Sequence, residues 1–404
     1  MKWTTILAMS VFVTCGASSA NEPPEIYGLG ALLPVTLNDA PEPTVGAALP
    51  GVVDLRPWTV PIGQQGKTNS CVAWTIAYAL VGWYANRNQV ADPLYSPMFM
   101  YSQINIGRKR GYDGGAYPAD GFALAKTQGN AVGATYSQPD KMNWTSQPSA
   151  RDKVDAKFHA IKSHTNLFSN PDGSGGGVNG RVAIMSALAQ MTPVAIAMRV
   201  RPEFAALSSQ QPSHTKTTGI VMGNHAVLAV GYDTAGLLVQ NHWGENWGVK
   251  GFGHIAWEVV EHDVFVADTI VPNDVFYNTV YRFSNAANNK QFYTLDHVEG
   301  VKAGYRYQGV EWRTMTTAGK GRREIFRCYI KGTDNSRFIS IDPSCERQTS
   351  EGTYGFVYSQ QYNGTIPLYR YYSPKTGERM ATLDTNEGNS KNYRLEMILG
   401  YVTH

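Results

Sequence analysis

The 404-residue chain carries a formal charge of only +3, with 43% apolar and 17% charged residues. That balance supplies a core and excludes two classes: the strongly basic surface of a nucleic-acid binder, and the charge-rich, apolar-poor composition of a disordered chain. Apart from the amino-terminal segment, no stretch approaches the ~18 apolar residues of a spanning helix, so no membrane span is expected.

In chain order, residues 1–20 join a basic start (Lys2) to an apolar run from Ile6 to Val13 and a small-residue close, Ser18-Ser19-Ala20. This is the pattern of a secretory signal cleaved near Ala20, which predicts a secreted or periplasmic protein. Residues 21–50 are dotted with proline (Pro23, Pro24, Pro34, Pro41, Pro43, Pro50) and show no helical period. Two readings stay open there: an extended arm, or a short pro-segment crossing a cleft.

A folded unit is expected over residues 51–274. Within it, Gln65 to Trp74 passes from a polar, Gly-bearing loop into an apolar run (Val72, Ala73, Ile76, Ala77, Leu80, Trp83) at helical spacing, with N-cap residue types at Thr68, Asn69 and Ser70. Cys71 then stands at a helix N-terminus, where aligned peptide dipoles favour the thiolate. A second apolar stretch follows at 97–106, and further helices are predicted near 119–127 and 182–190. The Gly-rich stretch 169–180 lacks a Gly-Lys-Ser/Thr ending and reads as a surface loop. Strand-like runs follow at 194–200, 226–230 and 237–239. His225 lies at the start of one, and Asn241 follows another in Asn-His-Trp-Gly.

These blocks, in this order, resemble the papain family of cysteine peptidases. The resemblance rests on Gln65-Gly66 with Cys71 six residues after the glutamine, Asn224-His225-Ala226-Val227, Asn241-His242-Trp243-Gly244, and Gly111-Tyr112-Asp113-Gly114-Gly115. It implies an α+β fold of two lobes, one helical and one β, with a cleft between them. It also implies that Cys71 is the nucleophile, His225 its base and Asn241 the group orienting the imidazole. Gln65 and the Cys71 N–H would form the oxyanion hole, Gly114 and Gly115 would line the substrate cleft, and neither metal nor organic cofactor would be needed. The chain departs from the family at Thr68 and Tyr112, where a disulfide is usual, at Val72, which replaces a tryptophan, and at His242, which replaces a small residue.

Of the four cysteines, Cys15 falls in the signal-like segment and Cys71 in the block above. Cys328 and Cys345 share the C-terminal region, where an oxidising compartment would join them. Residues 275–404 repeat. Arg282, Arg327 and Arg370 begin three similar units 43 to 45 residues apart, each continuing into a segment ending in Asp296, Asp342 or Asp384 and later a Gly–aromatic pair at Gly304, Gly355 or Gly400. Three units that cannot each bury an apolar face suit a closed threefold all-β domain. It resembles a β-trefoil of the lectin-like kind, which implies a carbohydrate or cell-surface partner.

The sequence therefore predicts a secreted papain-like cysteine endopeptidase, acting on protein or peptide, with a C-terminal binding module. Two alternatives remain: an amidase or transpeptidase on cell-wall-type peptides, and a catalytically silent binding protein.

Overall fold

The computed structural model describes residues 27–41, 48–138, 140–285, 290–333 and 336–403. The signal-like segment and residues 21–26 and 42–47 of the proline-rich stretch lie outside the described residues.

One helix forms the centre of the first domain. Cys71–Ala73 runs unbroken into π-helical Trp74–Val81 and α-helical Gly82–Arg87, and we call the whole α1. Every residue from Cys71 to Ala85 is buried, which is the environment of a helix apolar on all its faces. Ser70 precedes it without capping it: the Ser70 hydroxyl pairs with that of Thr68 at 2.6 Å. α2 (Pro97–Ile104) and α3 (Pro118–Thr127) pack beside α1, each started by a proline in its first turn, where no N–H is missed. Together they make the helical lobe.

The second lobe is an eight-stranded sheet. Its long strands are β1 (Ser163–Ser169), β2 (Val194–Val200), β3 (Gly223–Tyr232), β4 (Gly236–Gln240), β5 (Phe252–Ala256) and β6 (Val264–Val271), in the spatial order β1-β6-β2-β3-β4-β5. Before β2 lies α4 (Gly177–Ala189), which starts inside the predicted surface loop. A Cβ at Gly180 would sit 3.0 Å from the Phe168 ring, so glycine here lets the helix lie against β1 rather than marking flexible chain.

The C-terminal domain is all-β with two short helices. Its first unit holds β7 (Tyr277–Ser284), β8 (Gln291–Thr294), α5 (His297–Lys302) and β9 (Arg306–Met315). The second holds β10 (Arg322–Tyr329), β11 (Arg337–Ser340) and β12 (Thr349–Tyr358), and the third β13 (Thr365–Tyr372), β14 (Arg379–Thr382), α6 (Thr385–Ser390) and β15 (Arg394–Thr403). Each unit is a three-stranded antiparallel sheet, and the units join through the residue pairs Met315↔Phe356 and Tyr358↔Tyr401. Among the described residues no ladder pair joins β9 to β15, although these two strands also lie side by side.

The repeated arginines are structural. Arg282 pairs with Glu387 of the third unit, Arg327 with Glu299 of the first at 2.8 Å, and Arg370 with Glu346 of the second at 2.5 Å, closing a threefold cycle of charge-assisted bonds. Asp296 and Asp384 cap α5 and α6. The Gly–aromatic repeat needs correcting in the first unit. Gly309, Gly352 and Met397 face the three arginines across the ladders, so Trp312 is the counterpart of Gly355 and Gly400, while Gly304 lies in the turn after α5. Cys328 and Cys345 form a disulfide.

Candidate active site

Cys71 opens α1 and meets the start of β3, where His225 is the third residue. Asn241 follows β4, its backbone N–H held by Gly251 O at 3.0 Å. His225 Nε2 lies 2.9 Å from Asn241 Oδ1, which also accepts from the His242 N–H at 2.8 Å. An amide oxygen can only accept, so Nε2 carries the proton and Nδ1 is left with its lone pair. Nδ1 has no hydrogen-bond partner among the described residues. The Trp243 ring covers His225 with ring centres 4.3 Å apart, and His242 lies 5.0 Å away.

Gln65 is fully buried, and its amide nitrogen donates to Gly28 O at 2.9 Å and Thr68 O at 2.6 Å. Gly28 belongs to the proline-rich arm, whose described part threads the cleft. Tyr27 stacks on Trp243 at 4.7 Å. Beyond Gly28, Gly30 O accepts from Ala116 N at 2.9 Å, Ala31 N donates to Asn224 O at 3.3 Å, and Leu32 N donates to Ala116 O at 3.0 Å. Asn38 then exchanges both backbone bonds with Ser169 on β1, at 2.9 and 2.8 Å.

Burial dominates the electrostatics of the site, with Gly30 of the arm beside the sulfur. Cys71 is wholly buried, and burial pushes its thiol up to about 11, opposed in small part by the Ala226 and Gly30 backbone amides beside the sulfur. Burial likewise holds His225 down at about 4, despite the Asn241 bond that favours its protonated form. His242 is held well below its usual range by burial and by His225. The helix terminus alone would favour the thiolate, whereas burial with the arm seated favours the neutral thiol and, at His225, the neutral imidazole.

Gly115 of the glycine pair lies against Gly30 of the seated arm. Gly114 N donates to Asn105 Oδ1 and Gly115 N to Tyr101 Oη, so neither amide faces the cleft, and the ladder to the arm runs through Ala116. Gly115 matters for its missing side chain: a Cβ there would lie 2.4 Å from Gly30 O, at a backbone φ of +76° that glycine tolerates.

The papain family cysteine protease pattern matches residues 49–269, more than half of the chain. The chain belongs to the papain family of cysteine peptidases. This papain-family chain is 26% identical to cathepsin J of Rattus norvegicus over 259 residues, covering 61% of this chain and 72% of that one. It is 40% identical to pro-cathepsin H of Bos taurus over 82 residues, 19% of this chain and 24% of that one. In fold it is similar to xylellain, a cysteine protease from Xylella fastidiosa, with a TM-score of 0.50 and 21% identity, covering 63% of this chain and all of that one. A domain of unknown function, DUF5648, matches residues 252–349 and again 344–403.

Three of the four departures from the family, at Thr68, Tyr112 and His242, have local accounts. Thr68 and Tyr112 need no disulfide, because Asn69 is tied to Asp113 by its backbone N–H at 2.8 Å and its side chain at 2.9 Å. His242 stacks on Trp74 with centres 6.0 Å apart. Sequence reasoning missed Tyr27, Gly28, Gly30 and Ala116. The one available signal was Gly28-Leu29-Gly30, two glycines set in an otherwise apolar run. Their missing side chains let the backbone press on Thr68 and Asn69: a Cβ would lie 2.0 Å from Thr68 O and 1.9 Å from Asn69 O respectively.

Proposed function

We propose that the protein is an exported cysteine endopeptidase, held latent by residues 27–38, whose threefold, trefoil-like domain binds a glycan or cell-surface ligand. The observation that carries the catalytic reading is the His225–Asn241 bond of 2.9 Å, which leaves Nδ1 unpartnered in the same buried cluster as Cys71 and Gln65. With the arm gone, water re-enters, the thiol loses its proton to His225 Nδ1, and the thiolate attacks a peptide carbonyl carbon. The developing oxyanion is bound where Gly28 O now sits on Gln65, with the Cys71 N–H as second donor; such donors contribute about 3 kcal/mol each. His225 then protonates the leaving amine, and water, deprotonated by His225, releases the acyl group as a carboxylic acid.

The direction of the arm supports latency. The leaving amine must depart on the side of His225 and Trp243, so a substrate runs from the glycine-pair side towards Trp243. The arm runs the other way, from Tyr27 on Trp243 to Ala31 and Leu32 beside Ala116. Its carbonyls therefore cross the cleft in reverse order and are poor targets for the thiol. Opening the chain between 41 and 48 and washing out the arm should produce casein cleavage that is lost in Cys71→Ala. Amide exchange on wall peptides without proteolysis would instead favour the transpeptidase reading. Cleavage that survives Cys71→Ala would overturn the assignment.

A further inference from the structure

The C-terminal domain holds a cavity of 310 Å³ at the starts of its three second strands, β8, β11 and β14. The residues immediately before these strands, Lys290, Ser336 and Glu378, are equivalent by the repeat, and they meet. Lys290 Nζ lies 3.1 Å from Ser336 Oγ and 3.8 Å from the Glu378 carboxylate. Equivalent positions that touch one another lie on the axis relating the units, so the cavity is axial.

The repeat separates what holds the domain together from what is particular to the cavity. The cross-unit arginines and glutamates are the same in all three copies. The axial positions do not repeat in this way: Lys290, Ser336 and Glu378 are three different residues at one level, and at the next Gln291 stands in the first unit where the other two carry Arg337 and Arg379. Arg337 pairs with Glu351 at 2.8 Å and Arg379 with Glu396 at 3.3 Å. In the first unit Gln291 stands at this level and accepts from Arg282 at 2.7 Å. A purely structural axis needs no such divergence, whereas a ligand without threefold symmetry does.

The lining also says what kind of ligand fits. Lys290, Arg337, Arg379 and Lys391 each have a carboxylate partner, Lys391 with Glu387 at 3.0 Å. An incoming anion would meet little net positive charge. The lining itself sets the charge-paired donors Lys290, Arg337, Arg379 and Lys391 beside the acceptor Glu378 and the Ser336 hydroxyl, and Tyr393, bonded to Glu378 at 3.1 Å, and Met380 add apolar surface. Hydroxyl groups, which both donate and accept, match such a lining, and the volume is at the small end for ligand sites. Resting on the reading of this domain as a glycan-binding module, we propose that the axial cavity takes one neutral pyranose unit of a surface glycan.

The test applies fluorescent full-length chain to an array of neutral and acidic glycans, then measures the best neutral hit by calorimetry with wild type, Ser336→Arg and Tyr393→Phe. Ser336→Arg fills the cavity. Tyr393→Phe removes one hydroxyl and keeps the ring, so it reports on the site even where the larger change disturbs folding. The expected result is binding to a neutral glycan, weakened at least tenfold by Ser336→Arg and about three- to tenfold by Tyr393→Phe, with thermal unfolding unchanged. Unchanged affinity in either folded variant would overturn the axial site while leaving glycan binding standing. Hits confined to acidic glycans and abolished by salt would overturn the neutral ligand. No hit at all would remove the glycan-binding reading and the cavity's role with it.

Discussion

Replacing Gly30 by alanine should open the latent enzyme without any cut. The new Cβ would lie 1.9 Å from Asn69 O and 2.5 Å from the Asn69 carbonyl carbon and Cβ. No rotamer relieves a clash with backbone, and Asn69 is pinned by two hydrogen bonds to Asp113. The arm must therefore lift. Lifting breaks the bonds from Gln65 to Gly28, Ala116 to Gly30, Ala31 to Asn224 and Leu32 to Ala116, at 2.9, 2.9, 3.3 and 3.0 Å. At about 1 kcal/mol net for each bond, closure weakens by roughly 3–4 kcal/mol. At 1.4 kcal/mol per decade, that shifts the closed-to-open ratio by about 10²–10³. The arm stays tethered through Asn38 and Ser169, so the change is reversible opening rather than loss of the segment. The assay is the rate of Cys71 alkylation by iodoacetamide on the uncut chain, beside hydrolysis of a fluorogenic peptide. Both should rise at least tenfold. A folded Gly30→Ala protein that alkylates at the wild-type rate would refute the claim that this contact closes the site.

Three further outcomes are expected. In the arm-free enzyme, Asn241→Ala removes the group that orients the imidazole and should lower kcat about 10- to 100-fold with little change in KM, measured by steady-state kinetics. Arm closure should be firmest near neutral pH. The closed site raises the Cys71 pKa from 9.0 to about 11, so that contribution is complete below 9 and lost as pH rises through 11. It lowers His225 from 6.5 to about 4, so that contribution is complete above 6.5 and lost as pH falls through 4; His242 adds to this with the same sign. Asp268, raised by burial to about 7 beside the arm's Val35 and Thr36, opposes them below 7, one carboxyl against two imidazoles. Protease sensitivity of the arm across pH 4–11 should accordingly pass through a minimum; a monotonic profile would contradict the assignment. Finally, Arg370→Met takes from Glu346 and Glu396 the nearer of their two arginine partners, leaving Arg379 at 3.6 and 3.3 Å, and should destabilise the C-terminal domain by about 2 kcal/mol, read as a lowered unfolding transition in calorimetry.

The helical lobe, the sheet lobe and the four peptidase blocks were legible because each depends on short-range pattern. Helical spacing runs through Val72, Ile76 and Leu80, an apolar strand follows His225, and a glycine turn follows Asn241. For the arm the sequence left two readings open, an extended arm or a segment crossing a cleft, because its grip is made of backbone bonds and of side chains that are missing at Gly28 and Gly30, and neither leaves a periodic trace. The same holds for Gly115, whose use lies in the Cβ it lacks. The π-helical stretch Trp74–Val81 has the same apolar pattern as an α-helix and could not be told from one. In the C-terminal domain the period was plain, but β-bulges and unequal turns shift the register between units. Gly304 was therefore aligned with Gly355 and Gly400, when Trp312 is their counterpart.

The measurement that bears most directly on the central claim uses a class-selective epoxide inhibitor of papain-like peptidases, with the adduct mapped by mass spectrometry. It is applied to the intact chain and to the chain opened between residues 41 and 48 with the arm removed. The account predicts an adduct on Cys71 in the opened chain alone, appearing together with loss of casein cleavage. Equal labelling of both forms would contradict the arm's role, and an unlabelled Cys71 in the opened, reduced chain would contradict its role as the nucleophile.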